Sequence, residues 1–526
     1  MRYLKNLFFL LITLFISSAQ GASLWHFPPT DLSFSNTIES SQKICCDSSG
    51  NAIAIWADAM LGEPTITQVS HFDGDTLTWG NFVNLSDSSQ SALQPQICCD
   101  NSGNAFAVWQ WSNGTNTIIQ ASIYDGTSWT PIPSVFNLSA DGQDAEAPQV
   151  CCDDSGNAIA IWQRSDGTNT VIQASRFNGT SWDSPVVLSD PSENATEPQI
   201  CCDDSGDATA IWARSNGSNI IIQASQFDGS SWGPISDISD PGENAGFQQI
   251  CCNNLGEAFA IWRRSNGTNL VIQSSYFNGS IWTLFDVSAP GFDTRDPAIC
   301  CNDFGDAVAV WPGINGTDDI ILASRFNGTS WSNFADIASL SLPGNNGSLP
   351  RVCCDNAGNA TAVWKELFGA NHTIQTSHFD NEAMSWSSPP QDLSASGFDA
   401  RTPQICCNDS ERNFSIWSLS IPPNSSIIQA TFCLPQIFPP ENFEGTQVTD
   451  QSATQTASSI LLCWTPNVDP NVTAFNIFRD GVLIGTIPSS TSCYKDCTLD
   501  PCETYTYSIT SVNIAGDESA AETITL

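Results

Sequence analysis

Basic residues are scarce in this 526-residue chain. There are 16 Lys and Arg against 55 Asp and Glu, a formal net charge of −39 at pH 7. A protein so anionic is a poor partner for nucleic acid or an anionic membrane surface. Histidine is scarcer still, with four residues (His26, His71, His372 and His378), and none belongs to a His-Glu-x-x-His pattern. Phosphate-binding loops are absent as well, which removes the commonest signatures of metalloprotease and nucleotide chemistry; Gly-x-Ser-x-Gly spacing occurs once, at Gly229–Gly233, inside the repeat's turn. Long apolar runs are missing except for Leu7–Ile16, which follows Arg2 and Lys5 and precedes small residues. That layout predicts a secretory signal over 1–21, too short in its apolar part to span a bilayer. Without it the charge becomes 14 − 55 = −41. The expectation is an exported protein, secreted, extracellular or in the cell envelope, with no transmembrane segment after signal removal.

Cysteine and tryptophan, by contrast, are abundant and regular. Of 21 cysteines, sixteen form eight adjacent pairs: Cys45/Cys46, Cys98/Cys99, Cys151/Cys152, Cys201/Cys202, Cys251/Cys252, Cys300/Cys301, Cys353/Cys354 and Cys406/Cys407. The pairs recur every 49 to 53 residues, and a tryptophan follows each first cysteine by eleven residues, from Trp56 to Trp417. A repeat of this length, built from short alternating segments, predicts a propeller. In the third repeat Gln149–Cys152, Asn157–Arg164, Thr170–Phe177 and a segment from Trp182 to about Leu188 read as four strands. In the second of these Ala158, Ala160 and Trp162 face one way and Ile159 and Ile161 the other, as a sheet buried on both faces requires. Asn178-Gly179 is a hairpin turn, because both residues tolerate positive φ.

Seven repeats carry a second tryptophan and the eighth does not. Trp25 lies before Cys45 at the spacing of the missing one, so Ser23–Ser33 is expected to supply the outer strand of the last repeat and close the ring. The fold class is therefore all-β: an eight-bladed propeller over 22–433, a Pro-containing linker over 434–442 and a second domain over 443–526.

Adjacent strand residues point to opposite faces, so each cysteine pair offers one thiol to each neighbouring blade. The second cysteine of one blade is expected to meet the first of the next, giving up to eight bridges around the channel. Buried free thiols and bonds within a pair are the other two states open to them. Cys463, Cys493, Cys497 and Cys502 are even in number and allow two bridges, leaving Cys433 as a free thiol or a link to another chain. Zinc spacing is missing.

Ile460-Leu-Leu-Cys-Trp464-Thr-Pro466, Phe475–Gly481 and Leu499-Asp-Pro501-Cys-Glu-Thr-Tyr505 resemble a fibronectin type III domain. The resemblance implies a spacer or adhesive β-sandwich with Trp464 in its core and Tyr505 at a corner hydrogen bond. The Gly-Asn-Ala turns and Ala-Val-Trp strands resemble repeats of secreted bacterial proteins. Ser175-Arg-Phe-Asn178-Gly179-Thr-Ser-Trp182 has the shape of a sialidase-type Asp-box, a structural turn in that family. The sialidase Arg-Ile-Pro motif is absent, and Tyr124 and Tyr276 are the only propeller tyrosines.

Connections between strands two and three, and from blade to blade, share one face of a propeller. Two residues after the first tryptophan of each repeat, that face receives Trp111, Arg164, Arg214 and Arg264 on consecutive blades. One reading is a stacking and bidentate site for an acidic or sugar ligand. The other is pairing with the acids of nearby connections, among them Asp190, Glu193, Glu197, Asp240 and Glu243. Those acids are also the chain's calcium donors, if any cofactor is bound. The expected function is non-catalytic binding of an extracellular glycan or protein; a glycan-processing hydrolase and a disulfide-crosslinked envelope component are the alternatives.

Overall fold

The computed structural model describes residues 24–34, 37–60, 62–316, 318–409, 412–422, 425–434, 439–451, 456–465, 471–497, 499 and 504–526. The signal expected over 1–21 and Cys502 lie outside them. The chain divides at Leu434–Pro435 into two compact units.

Trp25–Leu434 holds eight antiparallel sheets of four or five strands, in chain order. The first strands of successive sheets touch, and the first strand of the first sheet, Ile38–Cys46, touches that of the last, Asp399–Cys407. The first strands thus make a closed inner ring, and the architecture is consistent with a propeller. Leu24–Trp25 and Thr30–Asp31 pair with Ser425–Leu434 on the outside of the last sheet. The closing strand therefore comes from the N-terminal segment, and Gln429 Nε2 donates to Asp31 Oδ1 at 2.8 Å, as Gln223 does to Asp237 at 2.7 Å in the fourth sheet.

In the third sheet the strands are Ala145–Cys152, Ala158–Ser165, Thr170–Phe177 and Val186–Val187. The first is longer than its sequence suggests because a bulge between Glu146 and Gln149, with Ala147 at φ 51°, carries pairing past Pro148. The outer strand is shorter, and Trp182 makes only an isolated bridge to Phe177. Trp162 and Ala160 pack on Val108 and Ile119 of the preceding sheet, while Ile159 and Ile161 pack on Trp212 of the following one. Small alanines on one sheet accept the indole of the next, and all eight first tryptophans have 0 % exposure. Six of them donate Nε1 to a glutamine of the third strand, as Trp162 does to Gln173 at 3.2 Å.

Seven disulfides join neighbouring sheets: Cys45–Cys99, Cys98–Cys152, Cys151–Cys202, Cys201–Cys252, Cys251–Cys301, Cys300–Cys354 and Cys353–Cys407. The direction expected from sequence is reversed: the first cysteine of a sheet meets the second of the following sheet. The register explains it. Cys151 sits opposite Ile159 and shares its face toward the following sheet, whereas Cys152 sits opposite Ala158 on the tryptophan face. The eighth equivalent pair, Cys46 and Cys406, stays as two neighbouring thiols, and burial first, then Cys46, pushes the Cys406 thiol up.

Pro435–Leu526 holds a three-stranded sheet, in the order Glu441–Gln451, Thr456–Thr465, Cys493–Asp496, and a four-stranded one, Val482–Pro488, Val472–Arg479, Thr506–Asn513, Glu522–Thr525. Trp464, 5 % exposed, meets Phe475 edge-on at 5.6 Å in its core. The buried Tyr507 donates to Asp496 Oδ2 at 2.9 Å. Tyr505 exchanges backbone hydrogen bonds with Leu526 at 2.9 Å and packs on the core. Among the described residues one bridge forms here, Cys463–Cys493, and Cys497 is an exposed thiol. Cys433, the expected leftover, is fully buried opposite Asn413 in the last propeller sheet. Among the described residues no helix is long and apolar enough to cross a membrane.

Candidate functional site

Trp111, Arg164, Arg214 and Arg264 occupy one register position, opposite Ala92, Ala145, Ala195 and Ala245. They share a face but do not gather into one pocket. Arg164 Nη2 donates to the Ala140 and Asp141 carbonyls at 3.2 and 3.4 Å. Arg214 lies 3.9 Å from Asp190, and Arg264 lies 3.3 Å from Asp240. Each arginine thus reaches back to the connection entering its own sheet, and two of the acids offered as partners are in place. With Asp190 and Asp240 so engaged, no three His, Cys, Asp or Glu side chains converge as a metal site among the described residues. The Asp153 turn is likewise occupied internally: its carboxylate accepts the Ser155 and Asn157 amides at 2.9 and 2.8 Å and the Asn157 side chain at 2.7 Å.

A cavity of about 730 Å³ opens on the same face, where the seventh, eighth and first sheets meet. Its wall combines Asn371, Phe398, Asp399 and Arg401 with several serine hydroxyls and Glu39. Phe398 is 47 % exposed, a large aromatic surface left in solvent at the mouth. Asp399 anchors the polar side: His372 Nδ1 lies 2.6 Å from its Oδ1, and Arg401 Nε donates to Oδ2 at 2.7 Å. Burial alone would raise the Asp399 carboxyl, but the His372 and Arg401 hydrogen bonds outweigh it and hold it below the usual value. The Arg401 side chain is 57 % exposed, so it is oriented by Asp399 and still presented to solvent.

Glu39 is the opposite case. It stands opposite Asp58, where five other sheets have alanine. It is 5 % exposed, its Oε1 accepts from Thr37 Oγ1 at 2.7 Å, and its Oε2 is buried without a hydrogen-bond partner. Burial, with a smaller part from Asp58, pushes its carboxyl up to about 8, so it is protonated at neutral pH. Two carboxyl groups with environments of opposite effect therefore line one cavity.

Several of these residues escaped sequence reasoning. Glu39 breaks the repeat, and Phe398 and Arg401 recur only in the sixth repeat, as Phe292 and Arg295, so aligning the repeats column by column is the signal that finds them. A second set does follow the repeat. Three residues after each first cysteine, side chains link turn to turn around one mouth: Asn101 N to Asp154 Oδ1 at 3.0 Å, Asn254 N to Asp303 Oδ1 at 2.9 Å, Asp303 N to Asn356 Oδ1 at 3.0 Å and Asn356 N to Asp409 Oδ1 at 3.0 Å. A cavity of about 630 Å³ on that opposite side is lined by such turn residues, and there His71, pushed down to about 4 by burial, faces the Trp129 indole Nε1 at 2.8 Å.

No protein-family model matches the chain, and no curated protein matches it in sequence. Among solved structures it is similar to the WD40 domain of SCAP from fission yeast, at 8 % identity and a TM-score of 0.46, covering 79 % of this chain and 97 % of that one. It is also similar to the polysaccharide lyase Uly1, at 6 % identity and 0.45 over 79 % and 93 %. The fucose-binding Aleuria aurantia lectin, crystallised with alpha-methyl-L-fucoside, scores 0.33 at 14 % identity over 60 % and 99 %. At these scores none of them assigns an activity to this chain.

Proposed function

We propose that the eight sheets are the blades of an eight-bladed propeller, that Pro435–Leu526 is a fibronectin type III sandwich, and that the chain is an exported, non-catalytic protein that binds a glycan. One observation carries the ligand class: a cavity that sets the exposed Phe398 ring beside Arg401, Asp399 and Asn371. Sugar recognition needs that combination, an apolar ring for the C–H face of a pyranose and oriented polar groups for its hydroxyls. Seven inter-sheet disulfides fit an oxidising exterior. The test is retention of the full chain on an array of neutral and acidic oligosaccharides. Phe398→Ala and Arg401→Ala each weaken the retained signal at least tenfold. An array with no retained sugar, or variants that bind unchanged, overturns the reading.

A glycan-processing hydrolase is the second reading, favoured by the protonated Glu39 and ionised Asp399 in one cavity. A carboxylic acid beside a carboxylate is the donor–acceptor set of glycosidic cleavage. Turnover of a bound oligosaccharide that vanishes in Glu39→Gln while binding persists selects it over pure binding.

A further inference from the structure

The segment that carries Phe398 is written twice in the chain. Gly397-Phe398-Asp399-Ala400-Arg401-Thr402-Pro403 enters the eighth sheet, and Gly291-Phe292-Asp293-Thr294-Arg295-Asp296-Pro297 enters the sixth, identical at five of seven positions. Each phenylalanine stands eight residues before the first cysteine of its repeat. The other six repeats have Thr37, Gln90, Gln143, Glu193, Glu243 and Asn345 there, and none of them has an arginine three residues further on. The ring and the guanidinium therefore come together in two repeats and in no other, and six sheets close the same connection without either.

The backbone holds the two copies alike. Thr294 pairs with Gly313 and Ala400 with Leu419, each partner two residues past the first tryptophan of its sheet. The aspartate fastens each copy to the preceding sheet: Asp293 Oδ1 accepts the Leu270 amide at 2.8 Å, and Asp399 Oδ1 accepts the His372 amide at 3.1 Å. An asparagine stands one residue ahead of each of those amides. Asn269 Nδ2 donates to Asp293 Oδ1 at 3.4 Å, and Asn371 Nδ2 to the Gly397 carbonyl at 3.0 Å. Phe292 is 59 % exposed and Phe398 47 %. A ring left in water gains little of the burial that stabilises a core phenylalanine, so its use lies outside the fold. Each guanidinium is fixed at Nε by a carboxylate, Arg295 by Asp319 Oδ2 at 2.9 Å and Arg401 by Asp399 Oδ2 at 2.7 Å. More than half of each arginine side chain stays exposed even so.

We propose that Phe292 and Arg295, with Asp293 and Asn269, form a second sugar-binding site, and that the face carrying the connections between sheets is bivalent toward a repeating polysaccharide. The proposal rests on the glycan reading of the Phe398 cavity and extends it from one site to two. The chemistry is the same in both places: an exposed ring for the C–H face of a pyranose, beside an oriented guanidinium, a carboxylate and an amide for its hydroxyls. The seventh sheet lies between the two copies, so each acts as a site of its own. A polysaccharide, or a surface dense in it, engages both at once and is retained more strongly without any new contact.

The test is calorimetric titration of the full chain with four disaccharides: cellobiose, diacetylchitobiose, mannobiose and digalacturonic acid. Wild type takes up two equivalents of at least one of them. Phe292→Ala and Phe398→Ala each take up one, and the double variant shows affinity at least tenfold weaker than either. Phe304→Ala, which removes a 74 % exposed ring beside the Asp303 turn, still takes up two. All of these substitutions trim an exposed side chain, and unchanged melting temperatures verify that the fold is retained. One equivalent in wild type, lost in Phe398→Ala and untouched in Phe292→Ala, overturns the second site and leaves the glycan reading standing. No uptake of any disaccharide by wild type overturns the proposal, and an array that retains no sugar takes the glycan reading with it.

Discussion

Glu39 has replaced an alanine in a position built for a methyl group, and the consequence is a pH-dependent stability. Its folded pKa is raised to about 8 from 4.5. Between those values the folded state keeps a proton that the unfolded state has released, so its contribution is present below pH 4.5 and lost as pH rises through 8. Glu39→Gln keeps the shape and removes the proton. The melting temperature of wild type relative to this variant should therefore fall steadily from pH 4.5 to 8, with a span of at most a few kcal/mol. Measuring the difference between the two proteins isolates Glu39 from His71, whose lowered pKa acts in the opposite sense at the acid end of that range. A flat difference would mean that Glu39 is not protonated in the fold. The arginine row is judged at the same scale. Partly exposed pairs such as Arg214 with Asp190, where the arginine side chain is 18 % exposed and the two groups are 3.9 Å apart, contribute about 0.2–1 kcal/mol. Replacing Arg164, Arg214 and Arg264 together by glutamine should cost little stability and leave oligosaccharide retention intact. Lost retention with an unchanged melting temperature would instead make that row the site.

At the scale of the element, the second strand of each sheet carries the packing. Its tryptophan fills the gap to the preceding sheet, and its isoleucines or valines fill the gap to the following one, with Trp162, Ile159 and Ile161 as the example. Removing one such indole leaves a large void between two rigid sheets. Trp162→Ala should destabilise by about 3–5 kcal/mol, checked by denaturant unfolding. Trp182→Ala, at an isolated bridge to Phe177 ahead of the outer strand, should cost much less. These elements were legible in the sequence because strand periodicity and turn chemistry are local. The bulge at Ala147 was not, because it puts a non-glycine residue at positive φ, as at the equivalent residues Ser41, Gln94, Glu197, Phe247, Leu349 and Thr402.

For the whole molecule, closure is both covalent and hydrogen-bonded. Each inter-sheet disulfide closes a segment of 50 to 54 residues, an effect of about 4 kcal/mol for a single isolated loop. Intact mass of alkylated, unreduced protein should show at least eight disulfides, seven in Trp25–Leu434 and Cys463–Cys493. Full alkylation of the sixteen paired cysteines would remove the covalent ring. Reduction should lower the melting temperature without abolishing the strand-to-strand pairing of the N-terminal segment with Ser425–Leu434. A link to another chain through Cys433 was one of the two roles open to it, but Cys433 has 0 % exposure, and the exposed Cys497 is the surface thiol to test for dimers under oxidation.

The division between sequence and tertiary structure follows from the range of the forces involved. Repeat period, strand alternation and the tryptophan–cysteine spacing are properties of neighbouring residues, and they sufficed for an all-β ring closed by its own N-terminal segment. Which cysteine faces which neighbour depended on cross-strand register, one pairing step beyond the strand itself, and the expected direction was the reverse of the one formed. The outer cavity lay further off. Phe398 and Arg401 are distant in sequence from Glu39 and meet it only where the last sheets join the first. Local chemistry wrote the repeat; closure of the ring decided which departures from it would act together.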